Sequence, residues 1–205
     1  MKQINKKEPD FYAKYLKKES PTEWKTLSQA IGSNVREHIL DIEQNNQCAY
    51  TEIALDHNSR NSHIDHFKKR ALFPEETFNW NNLLVSCNRE NYGAKYKDKH
   101  IHKQDYNNIL NPTIDNPSSF FHYSFTGNIG EKTIDKINGE RVANTISLFG
   151  LNNKSLVERR ATIAEQVKIY SNQLSLPEIK EVIGEFDSFV ENIYSTLHDD
   201  NISVN

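Results

Sequence analysis

H-I-D-H-F-K-K-R-A-L-F-P-E-E-T-F-N-W-N-N-L-L-V-S-C-N-R-E-N-Y-G-A-K, residues 63–95, is the stretch on which the fold turns. It begins as a short strand that carries Asp65 and His66, passes through a polar loop with one proline, and resumes as an apolar run from Leu83 to Cys87. A basic helix is expected to start near Asn91. Adjacent strand residues point to opposite faces, so Asp65 and His66 share a site only where the strand ends. The loop that begins at Lys68 supplies that ending. Asn82, directly ahead of Leu83-Leu84-Val85, is placed to bridge backbone groups across the loop.

These residues carry the chemistry of a metal-dependent phosphodiesterase, which needs an oxygen-rich pocket for a hard cation and a base to deprotonate water. His66 is the candidate base, because unperturbed imidazole titrates near working pH. Asp65 is the candidate anionic ligand, and the Asn91 carbonyl is placed to complete an oxygen set suited to Mg²⁺ or Mn²⁺ rather than Zn²⁺. Asn82 is expected to fix the orientation of the imidazole. The competing reading is that Asp-His pairs and Asn-Asn-Leu triplets arise by chance and most asparagines merely cap or turn.

In order and spacing the stretch resembles the HNH endonucleases, in which an Asp-His pair ends the first strand, Asn-Leu opens the second and a His or Asn begins the helix after Cys-x-x-Cys. Asp65-His66, Asn82-Leu83 and Asn91 hold those places here. The resemblance implies an α+β, mostly helical chain with a ββα-metal core and helices on both flanks. The family's lysine commonly lies three residues after the last ligand. Lys95 lies four after Asn91, which leaves Asn88 as a rival ligand.

Many members of that family tie the ββα unit with two Cys-x-x-Cys knuckles that share a structural zinc. This chain has two cysteines, Cys48 and Cys87, with Thr51 and Glu90 in the second places. A tetrahedral site that has lost one thiolate from each knuckle has no reason to persist, so no structural zinc is expected. Rescue by Glu90 or His57 is the alternative for zinc. A Cys48–Cys87 disulfide is the alternative for the thiols, disfavoured in a chain read as cytoplasmic because its first residues lack the apolar core of a signal peptide.

The chain has 205 residues and a net charge of -3, which argues against coating nucleic acid by bulk charge. Between Arg60 and Lys103, however, nine basic residues face five acidic ones, +4 locally, leaving -7 elsewhere. Lys68, Lys69, Arg70, Arg89, Lys95 and Lys97 are therefore the candidate nucleic-acid contacts. For Lys95, Lys97 and Lys99 a solvated helix face is the plainer reading. His57, His63, His100 and His102 are read as hydrogen-bonded or solvated.

Three segments are expected to pack as one domain. Residues 1–47 are helical, with apolar stripes at Phe11, Tyr12, Tyr15 and Leu16 and, after a Ser20-Pro21 cap, at Trp24, Leu27, Ala30 and Ile31, broken near Gly32. Residues 48–104 hold the nuclease core and open with a short ribbon from Cys48 to Leu55 and a polar turn over 56–62. Residues 105–205 hold an aromatic hairpin around Thr126-Gly127-Asn128, read as core, then a helix ended by Gly150, a second from Asn152-Asn153, and a third from Pro177 through Leu197.

The flanks extend the likeness. Cys48-Ala49-Tyr50, the run Tyr123 to Ile129, Thr145 to Asn152 and Leu156 to Arg160 together resemble the PtuB type of HNH protein, found in Septu anti-phage systems and beside retrons. That resemblance implies a DNA-cutting effector, with tRNA cleavage or a non-catalytic binding role as alternatives. It also implies control by a PtuA-like ABC-type ATPase and, in retron versions, association with a reverse transcriptase and its RNA-DNA product. The chain has no G-x-x-x-x-G-K-S/T loop of its own.

Overall fold

The computed structural model describes residues 1–58, 60–132 and 135–202, with the backbone alone for 200–202. Leu83–Cys87 forms β2, buried along its whole length. It pairs antiparallel with β1, Ser62–His66, in a register that sets His63 opposite Ser86 and Asp65 opposite Leu84. A Leu-Leu-Val run buried on both faces reads as a central strand, yet this sheet has two strands. A side chain fills the third place. Gln44 donates from Nε2 to the Val85 carbonyl at 2.9 Å and accepts from the Val85 N–H at 2.8 Å. The edge of β2 is thereby paired without a strand.

The basic helix, α3, runs Ala94–His100, so it starts three residues beyond Asn91 and not at it. Gly93 is the reason: it sits at φ 76, ψ -151, a region essentially reserved for glycine. The chain passes through that conformation before it can turn into a helix. Ser86 Oγ then accepts the Ala94 N–H at 3.1 Å, so β2 caps α3 directly.

Ahead of the hairpin, α1 is Asp10–Glu19 and α2 is Gln29–His38. Ser20 does not cap a following helix. It ends α1 in the left-handed conformation at φ 43, and Ser28 is the N-cap of α2, its Oγ accepting the Ile31 N–H at 3.3 Å. Trp24 lies between them on a single 3-10 turn, and Gly32, expected as a break, lies inside α2. Asn45 and Asn46, both at positive φ, stop the wide turn that follows α2. The expected ribbon from Cys48 to Leu55 is a turn held by one bridge, Gln47 to Ala54. Of the turn expected over 56–62, residue 59 lies outside the described residues.

The aromatic hairpin is β3, Phe121–Tyr123, paired with β4, Ile129–Glu131. Phe121 and Tyr123 are in the core. Gly127, at φ 84, turns so close to the next layer that a Cβ there would lie 2.1 Å from the Val157 carbonyl oxygen. Helix α4 is Lys136–Leu148, followed by Gly150 at φ 60. Helix α5 is Lys154–Tyr170, with Asn153 as its N-cap. Its wholly buried Arg160 donates to the carbonyls of Gly127 and Leu151 at 2.6 and 2.8 Å, which pins the hairpin turn. The stretch from Pro177 is two helices, α6 at Leu176–Ile183 and α7 at Asp187–Ile202, because Gly184 turns left-handed at φ 69. One apolar core runs from Met1 and Ile4 through Leu83, Leu84 and Val85 to Ile193. The chain is α+β, and among the described residues no helix is long and apolar enough to cross a membrane.

Candidate functional site

Where β1 ends, a cavity of about 350 Å³ is lined by His63, Asp65, His66, Lys69, Arg70 and Asp98, with Ile64 and Ala71. His66 is buried, and its Nε2 lies 2.9 Å from the Thr77 carbonyl oxygen. A carbonyl only accepts, so Nε2 carries the hydrogen and Nδ1 is left with the lone pair. The indole of Trp24 stands edge-on to the imidazole, with ring centroids 4.5 Å apart. Burial, helped by the Arg70 and Lys97 charges, lowers the His66 pKa to about 4 against the pull of the Thr77 carbonyl and Asp65. The ring is neutral at physiological pH.

Asn82 secures the loop that presents Thr77. Its Oδ1 accepts the Lys68 N–H at 2.7 Å, and its Nδ2 donates to the carbonyls of Lys68 and Glu76, both at 3.1 Å. Glu76 is the residue before Thr77, so the carboxamide holds the same backbone whose next carbonyl receives His66. Asn82 thus reaches the imidazole through one peptide unit and makes no direct contact with it.

Asp65 turns the other way, toward α3. Its Oδ2 accepts from the Tyr50 hydroxyl and, at 2.9 Å, from Lys97 Nζ. Lys97 is fully buried, and its remaining two donors go to the carbonyls of His66 at 3.0 Å and Phe67 at 2.9 Å. Asp98 Oδ1 lies 3.3 Å from the same ammonium as an ion pair without hydrogen-bond geometry. Burial drives the lysine pKa down, but the Asp65 and Asp98 carboxylates outweigh it and the net shift is upward. Burial likewise drives the Asp98 carboxyl up.

The other expected ligands are elsewhere. Asn91 is exposed and lines a different cavity, with Tyr96, Ile146 and Gly150. Asn88 donates to the carbonyls of Arg60 and Ser62 at 3.1 and 3.3 Å. Ser62 is the far end of β1 from His66, roughly 10 Å from Asp65 at strand spacing. Among the described residues, no group of three His, Cys, Asp or Glu side chains is arranged to hold a metal ion. As arranged, these residues do not fit a divalent ion.

Of the expected phosphate contacts, Lys69 and Arg70 line the His66 cavity. Lys69 Nζ is spent on the Asp98 carbonyl at 2.7 Å, whereas exposed Arg70 makes no hydrogen bond or ion pair among the described residues. Lys68 pairs with Glu76 at 2.8 Å and lines a separate cleft with Lys6 and Asn82. Lys95 pairs with Glu90 at 3.0 Å, and exposed Arg89 lines another hollow with Asp56 and Arg159. Lys97, buried and saturated, does not reach a phosphate, which corrects its reading as a nucleic-acid contact. Cys48 and Cys87 are buried free thiols, with Cys48 Sγ accepting the Cys87 N–H at 3.4 Å. His57 pairs with Asp41 at 2.7 Å, and Glu90 pairs with Lys95 and Lys99.

Tyr50, Thr77 and Trp24 are the site residues that sequence reasoning passed over, and Lys97 is one to which it gave a different role. Thr77 acts through its backbone and leaves no trace in residue type, and Trp24 arrives from a distant turn. Lys97 did leave one. Counting three residues back from it, in the family's spacing, gives Ala94 as the first residue of α3, whereas counting from Lys95 gives Tyr92.

No protein-family model matches the chain. It is 31% identical over 155 residues to the Septu protein PtuB of Bacillus thuringiensis, covering 72% of this chain and 58% of that protein. It is 27% identical over 157 residues to the Septu protein PtuB of Bacillus mycoides (strain KBAB4), covering 63% of this chain and 51% of that one. The chain spans a little over half the length of these curated relatives. On that similarity the chain belongs to the PtuB-type Septu proteins.

Proposed function

We propose that this chain is the nuclease effector of a Septu-type anti-phage defence system. It hydrolyses phosphodiester bonds of nucleic acid in the cavity at the end of β1, under the control of a PtuA-like ATPase. The observation that carries this reading is His66: a neutral imidazole with Nε2–H pinned by a backbone carbonyl and a free Nδ1 beside a cavity lined with cationic side chains. A pure binding module has no need of a base held in one tautomer.

In this mechanism Nδ1 of His66 takes a proton from the attacking water as its oxygen bonds to phosphorus. Arg70 meets the non-bridging oxygens, a task suited to an unpaired guanidinium. The bond to the leaving oxygen breaks, and that oxygen takes up a proton. That proton comes from solvent water, so the step needs no second titrating side chain. Asn82 and Thr77 act as positioning groups, holding the base in register.

The test is cleavage of DNA and of tRNA by the purified chain, alone and with the ATPase. His66→Ala is expected to lower the rate by about 100-fold or more. Equal cutting by wild type and His66→Ala, or no cutting of either substrate in any combination, removes the reading.

A further inference from the structure

The HNH likeness implies a divalent ion beside Asp65, and the residues around that carboxylate do not fit one. We infer that the cation seat of this site is filled by the chain's own Lys97 ammonium, and that the site works without a divalent ion bound to Asp65.

An ammonium has three N–H donors, and all three of Lys97 are used, on Asp65 Oδ2, the His66 carbonyl and the Phe67 carbonyl, at 2.9 to 3.0 Å. Asp98 adds a second carboxylate oxygen at 3.3 Å. The rings of Tyr50 and Phe67 flank the charge at 5.7 and 5.8 Å. Four oxygens from two carboxylates and two carbonyls form the kind of cage a hard cation takes, and a nitrogen cation sits in it. A magnesium ion needs near-octahedral oxygens at about 2.0–2.1 Å, and here Oδ2 already receives two donors, from Tyr50 and Lys97.

The helix supplies no replacement ligand. Ala94 stands at the start of α3, one turn before Lys97 on the same face, and a methyl group coordinates nothing. Gly93 prevents the helix from starting earlier, which leaves Asn91 outside the site. Lys97 does not touch substrate. It is a positioning residue that neutralises Asp65 and ties the carbonyls of His66 and Phe67 to α3, so the base is held by its own backbone as well as by Thr77.

This inference rests on the proposed cavity being the reactive one, and its test separates the two. Manganese binding is followed by electron paramagnetic resonance on wild type and Asp65→Asn, and cleavage is measured with EDTA and with added Mg²⁺. The expected result is the same Mn²⁺ uptake by both proteins and a cleavage rate that EDTA changes by less than about twofold. Stoichiometric Mn²⁺ on wild type that Asp65→Asn loses overturns the assignment. Cleavage that EDTA abolishes and Mg²⁺ restores also overturns it, while leaving the hydrolase reading intact if His66→Ala is inactive. Absence of all cleavage removes the hydrolase reading, and the manganese comparison still decides for or against Lys97.

Discussion

Replacing Lys97 by methionine keeps most of the side-chain volume and removes the ammonium. Asp65, only 4% exposed, is then left with the Tyr50 hydroxyl as its remaining donor, and two backbone carbonyls lose theirs. Breaking a buried ion pair by deleting one partner costs about 3–5 kcal/mol, because the other charge is stranded. For a chain of this length each kcal/mol corresponds to about 2–4 °C in Tm, so Lys97→Met is expected to melt roughly 6–20 °C below wild type. Urea unfolding followed by circular dichroism gives the free energy. Asp65→Asn placed on top of Lys97→Met is expected to recover about half of the loss, since the amide no longer needs a counter-charge and still accepts from Tyr50. A single variant within about 1 kcal/mol of wild type, or a double variant no better than the single one, refutes the claim that this pair is a closed, mutually dependent unit.

Asn82→Ala removes three hydrogen bonds to the 68–76 loop and leaves two carbonyls and one N–H unmatched. The expected cost is about 2–3 kcal/mol, and hydrogen exchange at the Lys68 amide is expected to accelerate with it. Arg70→Ala is expected to weaken nucleic-acid binding and to shrink the salt slope by roughly one charge while leaving the melting temperature unchanged, as salt titration of binding and a thermal melt will show. His66 contributes a pH signature to stability. Its folded pKa, lowered to about 4, lies below the unfolded value, so its stabilising contribution is full above about pH 6.5 and is lost as pH falls through about 4. Wild type is expected to lose roughly 3 kcal/mol more than His66→Gln across that window, read from urea midpoints at matched pH.

Much of the fold is written locally. The Leu83–Cys87 run, the stops at Asn45-Asn46 and Gly150, and the Asn153 cap depend on neighbours in sequence, and each lies where its pattern points. Reading failed where a distant group decides. The helix after β2 starts late because Gly93 stands at φ 76, where a Cβ would lie 3.1 Å from Ser86 Oγ and 3.3 Å from Cys87 Sγ, a constraint invisible in a Cys-x-x-x-Asn spacing. Gln44 acts as a strand only because β2 lacks a third one. At the site, Asp65 and His66 were legible because their pairing is contiguous, and Asn82 because it stands directly ahead of the second strand. Thr77 works through its carbonyl and Trp24 comes from a separate turn, so neither leaves a mark on the motif. Lys97 was read as a candidate nucleic-acid contact, with a solvated helix face as the plainer alternative, and burial with three acceptors reverses both.

The measurement closest to the central claim is the single-turnover cleavage rate of the assembled complex as a function of pH. With His66 as a buried neutral base, the rate is expected to stay level from about pH 8 to about pH 5 and then to fall with a midpoint near 4. A midpoint near the ordinary imidazole value of about 6.5, or a profile unchanged in His66→Ala, contradicts the account.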